Sequence, residues 1–268
     1  MKCIASCFPQ FTVILSFVGL CSCSIPSIEE SCIFEAPGIS EEIITGQSLS
    51  SNNVVFTFSG PLNDTAVSIA DVLSTNGIEG TYFVSGKSIV SNFEKLNTIY
   101  QQGHQIGNGG YSGKSLVSSK QPSMELRRTD YLITPYIINN QYLFRAPGGE
   151  FDSRVAKRLN QDGLVKYTGP VGFDHIGTTD QQCWADDTDF SQCATNIFSD
   201  IQSTGNGIIA IDTSDPRAVN LTGSLINTVN AAGFSFVTME DIPAISNSLV
   251  ANGSTIGTET VSSCDDYE

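Results

Sequence analysis

Basic residues are scarce in this chain. Its 268 residues include 13 Lys and Arg against 28 Asp and Glu, a formal net charge of −15 with a pI near 4.3. That balance excludes nucleic acid and anionic membrane surfaces as partners, because both require a basic footprint. An uncharged polysaccharide remains an allowed partner. Charge of either sign is also sparse, 15% of residues against 40% hydrophobic. This is too little charge density for intrinsic disorder and enough apolar material for a packed core. A long apolar run occurs once, at Phe11–Leu20 behind Lys2. It is short for a bilayer span and no second run follows, so no membrane anchor is expected. Residues 1–23 read instead as a secretory signal, with the small Cys21 and Cys23 at the cleavage site. Leu20-Cys21-Ser22-Cys23 also loosely fits a lipoprotein box, which would put a lipid on Cys23. The ending CDDYE is not the hydrophobic tail of a lipid-linked protein. Histidine is limited to His104 and His175, and tryptophan to Trp184.

Beyond the signal the cysteines are Cys32, Cys183, Cys193 and Cys264. None forms the Cys-x-x-Cys knuckle of a structural zinc site. An even set in a secreted chain indicates disulfides, with three possible pairings. The expected pairs are Cys183–Cys193 as a local staple and Cys32–Cys264 as a clasp between the termini. Glycosylation sequons stand at Asn63, Asn220 and Asn252, and would mark exposed loops or element ends.

What the chain does contain is alternation. Short apolar runs at 54–58, 81–84, 104–108, 142–145, 165–169, 207–212 and 234–239 read as strands. Amphipathic stretches between them read as helices, with Gly77, Gly103, Gly163 and Gly233 as stops and a capping box at Ser91–Glu94. Strands alternating with helices of 10–15 residues indicate an α/β fold with a parallel sheet. About seven such units suit a barrel, although the count alone does not separate a barrel from an open sheet. Either way the functional site belongs at the carboxyl ends of the strands. The expected organisation is a signal over 1–23, an N-terminal extension over 24–50, one domain over 51–245 and a tail over 246–268 clasped to the N-terminus.

Several strand ends carry distinctive words: TFSGP at 57–61, GTYFVSG at 80–86, GHQIGNGGYSG at 103–113, FRAPGGEFD at 144–152, the Asp180–Trp184 stretch, and GIIAID at 207–212. In order, these resemble the motifs of the polysaccharide deacetylases, the NodB-homology group or carbohydrate esterase family four, which includes chitin deacetylases. The resemblance runs over about residues 50–245. It implies a distorted (β/α) barrel of about seven parallel strands and metal-dependent hydrolysis of N-acetyl groups on chitin or peptidoglycan-type sugars.

The resemblance also locates the family's working positions, and this chain departs from them. The first motif is T-F-D-D-G, whose Asp residues are general base and metal ligand; here the two positions hold Ser59 and Gly60. The two metal-binding His of the second motif correspond to Gly109 and Gly113. Arg145, Pro147 and Gly149 match the third motif. Asp180 and Trp184 match the fourth, with Cys183 at its second Asp, and Asp212 stands where the fifth has its general-acid His. A hydrolytic zinc site needs about three lone-pair side chains and an open water position, and glycine supplies none. The expectation is therefore no metal, no cofactor and no catalytic residues.

The candidate substrate-binding residues are Arg145, Trp184, Tyr111, Asp180 and Pro147, with Phe151 nearby. Trp184 could floor a sugar groove or pack beneath the disulfide loop. Gly109, Gly110 and Gly113 loosen the loop where ligands would stand. Asp180 and Asp212 could form a glycosidase-like pair, but the simpler reading is that Asp180 holds Arg145 or caps a loop. His104 reads as structural and His175 as exposed in a polar loop. The functional expectation is a secreted, chitin-deacetylase-like protein of a cell or spore wall that binds or organises polysaccharide without catalysis. Two alternatives stay open: a deacetylase using Asp212, Asp180 and an acid from Asp186, Asp187 or Asp189, and a purely structural coat glycoprotein.

Overall fold

The structure, a computed structural model, describes residues 38–175 and 177–252. At its centre is β1 (Asn53–Gly60), an almost unbroken β-branched and aromatic run buried from 54 to 58, as a strand covered on both faces requires. β2 (Gly80–Val84) pairs with Phe56–Gly60, and β3 (Gln105–Asn108) lies outside β2. β4 (Asn206–Asp212) pairs with β1 over Asn53–Ser59. β5 (Ser235–Val237) pairs with Asn53–Val55. A strand has two edges, so β5 and β2 share the one that β4 leaves. All of these pairings are parallel.

The connections are helical: α1 (Asp64–Thr75), α2 (Gly86–Ser91), α3 (Phe93–Gln101), α4 (Pro122–Ile133), α5 (Ser153–Gln161), α6 (Asp180–Ala185), α7 (Phe190–Thr204), α8 (Ala218–Ala231) and α9 (Pro243–Ala251). Their starts follow from capping chemistry. Asn63 accepts from the Ala66 N–H and Asp152 from the Val155 N–H, while Asp189 accepts from Ser191 and Gln192. The Asn63 amide also donates to Thr213 O, tying α1 to the chain after β4. Asn63→Ala is expected to lower the unfolding free energy by about 1–2 kcal/mol. A urea midpoint unchanged from wild type would show that the cap contributes nothing.

The α/β architecture with a parallel sheet is as expected, but the strand count is not. Five strands form among the described residues. The runs at 142–145 and 165–169 make only single bridges, Asn108 with Phe144 and Leu143 with Thr168. The turn at Pro147–Gly149 and Pro170, which has no N–H to donate, cut the pairing short. These bridges, with Ile44 against Val171 and the Asp174 N–H on Ile208 O, carry the curvature from β3 back towards β4 without a continuous ladder. The capping box at Ser91 does not form. Ser91 ends α2, and the Asn92 side chain makes no cap bond to α3. Three helices lie where the sequence indicates none: α2, ahead of the expected start at Ser91, α6, inside the polar loop, and α9, whose Ile245 and Leu249 are fully buried. The packed unit therefore takes in residues on both sides of the 51–245 span, among them Ile39, Leu49 and Leu249. The signal and the Cys32–Cys264 clasp lie outside the described residues. Among the described residues, no helix is long and apolar enough to cross a membrane.

Candidate functional site

Period-two alternation along β1 decides what faces the interior of the curl. Val54, Phe56 and Phe58 join the core under α1, α7 and α8. Val55 packs in the opposite cluster with Phe83, Leu143, Val171, Ile208 and the α9 residues Ile245 and Leu249. Thr57 and Ser59 continue that second face to the carboxyl ends of the strands, where a cavity of about 520 Å³ opens.

That cavity gathers most of the residues singled out from the sequence. Ser59, Gly60, Gly109, Gly113, Arg145, Pro147, Asp180 and Asp212 all line it. Ser59 and Asp212 are direct partners across β1 and β4. Three aromatics do not line it. Tyr111 lies under the Arg128 guanidinium, 3.4 Å from its ring centre. Trp184 packs against Phe190 and carries Arg217 at 4.6 Å. Phe151 belongs to a separate cluster with Phe144. Trp184 thus sits beside the Cys183–Cys193 disulfide, which forms with 5.8 Å between Cα atoms and joins α6 to α7. The cavity aromatics are Phe83, which is buried, and the partly exposed Phe173.

Arg145 is the floor of the cavity and only 7% exposed. Its Nε donates to Val171 O at 3.0 Å and one terminal nitrogen donates to Thr57 Oγ1 and Gly172 O, both at 2.8 Å. The other donates to Ser59 Oγ at 3.2 Å. Of the two simpler readings of Asp180, holding Arg145 or capping a loop, the pairing with Arg145 does not form. Asp180 accepts from the Asp212 N–H at 2.7 Å and the Gln181 N–H at 2.9 Å, because it opens α6 and pins that helix to the end of β4. Burial pushes its carboxyl up to about 6, against those two N–H bonds that favour the charged form. Burial likewise lowers Arg145 to about 9, still protonated at neutral pH.

His175 corrects a second expectation: it is 1% exposed. Its Nε2 accepts from the Ala210 N–H at 3.0 Å and Nδ1 faces Thr178 O at 3.0 Å. Burial lowers its pKa, so it is neutral at pH 7. No periodicity marked it, because the backbone that holds it is 35 residues away on β4. His104 is structural, accepting from the Gly80 N–H with Nδ1 and placing Nε2 on Ala70 O. Of the sequon residues, Asn220 is exposed on α8, while the Asn63 and Asn252 amides are engaged with Thr213 O and Thr168 Oγ1.

The donor set does not fit a hydrolytic metal ion. Among the described residues no three His, Cys, Asp or Glu side chains cluster closely enough to hold one. Asp180, Asp212 and the loop acids Asp186, Asp187 and Asp189 form no such group. The His175 lone pair is taken by a backbone N–H. A Cβ at Gly109 would sit 2.7 Å from Phe83 O, and one at Gly60 would lie 2.8 Å from Asp212 Oδ1 and from Thr213 Oγ1.

Comparison with known proteins places this geometry in context. Residues 46–167 match the polysaccharide deacetylase family. Asp180 and Asp212 lie beyond the matched stretch. A chitin deacetylase of Arthroderma benhamiae is 25% identical over 122 residues, covering 43% of this chain and 33% of that protein. Chitin deacetylase 1 of Cryptococcus neoformans var. grubii is 32% identical over 99 residues, covering 36% and 21%. The aligned part thus spans a third or less of those relatives. Among solved structures, a CE4 family pseudoenzyme from Bacillus anthracis superposes with a TM-score of 0.60 at 16% identity, over 76% of this chain and 69% of that one.

Proposed function

We propose, on the footing that residues 46–167 match the polysaccharide deacetylase family, that the protein binds wall polysaccharide, chitin foremost, and does not deacetylate it. One observation carries this reading: the cavity at the strand ends is kept, while Ser59, Gly60, Gly109 and Gly113 line it in place of groups that could hold a metal or a proton. Without a metal, water keeps its high pKa and is a poor nucleophile at neutral pH. Each missing acid or base removes a further factor of roughly 10²–10⁴. The partly exposed Phe173 supplies the aromatic face for a sugar ring. We place the protein outside the cell or in its wall. The apolar run at 11–20 and the Cys183–Cys193 disulfide, a bond that persists in oxidising compartments, support that placement.

The test is direct. Chitin beads should retain the purified protein, Phe173→Ala should weaken retention by about tenfold, and chitotetraose should yield no acetate with or without added zinc. Metal-dependent acetate release would overturn the proposal. Absence of any chitin retention would favour the structural coat role instead.

A further inference from the structure

A buried cation normally has a partner. Among the described residues Arg145 has none of opposite charge. The ion pairs among the described residues are Lys95–Asp64, Arg154–Asp152, Arg158–Asp162, Lys166–Asp130 and Arg217–Asp215. All lie away from the cavity floor, and the four acceptors around the Arg145 guanidinium are two carbonyls and two hydroxyls. Ser59 is the position where a short side chain leaves cavity space directly against the guanidinium. The other acids of the cavity are engaged. Asp180 is held by the N–H groups of Asp212 and Gln181. Asp212 accepts from the Ser214 N–H and the Gln181 amide.

We infer that the cavity floor is a carboxylate-binding subsite, in which one carboxylate group of a ligand accepts hydrogen bonds from the Arg145 guanidinium and the Ser59 hydroxyl. A charge-assisted bond of this kind is about twice as strong as a neutral one, and here it neutralises a desolvated cation. Asp180 and Asp212 on the same walls disfavour a more highly charged anion, so the subsite suits a monocarboxylate rather than a phosphate or sulfate. The carboxylate can come from a small free acid or from a uronic acid unit of a glycan. The glycan-borne source rests on the polysaccharide-binding reading above; the free-acid source does not.

Thermal unfolding of the full chain in sodium acetate against sodium chloride, at equal ionic strength and pH 7, tests the subsite itself. Acetate at 100 mM should raise the midpoint by about 3–5 °C over chloride if it binds with a millimolar constant. Ser59→Asp places a carboxylate on the protein at the same spot. That variant should be more stable than wild type and insensitive to acetate. Arg145→Met should also lose the acetate effect, and Ser59→Asp keeps the test decisive if Arg145→Met does not fold. An acetate shift equal to that of chloride, or one that survives in Ser59→Asp, would overturn the inference. Parallel titrations with glucuronic acid, a glucuronate-containing oligosaccharide and neutral chitotetraose separate the sources. Binding of the free acids alone identifies a small-molecule site, and tighter binding of the acidic oligosaccharide identifies a glycan site. Loss of chitotetraose binding with the acetate shift intact would remove the polysaccharide reading and leave the subsite standing.

Discussion

Restoring metal-ligating side chains one at a time is expected to damage the protein rather than revive it. Gly109→His and Gly60→Asp should each cost about 3–5 kcal/mol, with no metal-dependent acetate release from chitotetraose. The reason lies in the backbone. At Gly109 a Cβ would approach Phe83 O to 2.7 Å and Val84 O to 3.0 Å. Those are main-chain atoms of β2, which pairs with both β1 and β3, so they cannot swing aside as a side chain would. At Gly60 the backbone has φ of +112°, a conformation that only glycine adopts readily. A Cβ there would also press on Asp212 and Thr213. Gly113 differs: its Cβ would meet nothing within 4 Å, although φ is +76°. Gly113→His should therefore be milder, about 1 kcal/mol. Denaturant unfolding of the three variants gives the ranking. A Gly109→His protein as stable as wild type would show that β2 yields more easily than its pairing implies.

The second large effect is a dependence on pH that runs opposite to the usual carboxylate. Burial raises Asp180 to about 6 from an ordinary value of 3.8. As pH rises from 4, the unfolded chain releases this proton before the folded one does. The folded state then holds more protons, and stability falls with rising pH until the folded group has ionised, by about pH 7. The displacement corresponds to about 3 kcal/mol. Comparing wild type with Asp180→Asn isolates it. The wild type should lose about 2.4 kcal/mol of this relative to the variant between pH 4 and pH 7, whatever constant offset the amide introduces. Parallel stability profiles for the two proteins would show that Asp180 is as easily ionised folded as unfolded.

Much of the frame could be read from the chain itself. The run at 54–58 is β-branched and aromatic throughout, with Thr57 its one polar member, as suits a strand buried on both faces. Gly77 and Gly233 follow α1 and α8 and adopt φ of +67° and +78°, as helix ends in the left-handed conformation do. Asp152 caps α5 as expected, and Cys183 and Cys193, ten residues apart, find each other. These features are local: each depends on residues within about one helical turn or loop of one another. The residues that gather at the cavity were legible too, since strand order alone sends Ser59, Gly109, Arg145 and Asp212 to the same end of a parallel sheet.

What the chain alone left open depended on contacts between distant segments. Whether Asp180 would meet Arg145 or a backbone N–H turned on the start of α6 and its seat against β4. His175 looked like a loop residue until the backbone of Ala210 received it. Trp184 and Tyr111 carried the chemistry of sugar stacking, yet Arg217 and Arg128 lie against them outside the cavity. Pattern and spacing determine which way a side chain points along its own element, because pleat and helical pitch are set by covalent geometry. Which partner that side chain meets, and whether a charge finds its opposite, is decided only when separate elements pack, and in this protein packing left Arg145 buried among neutral acceptors.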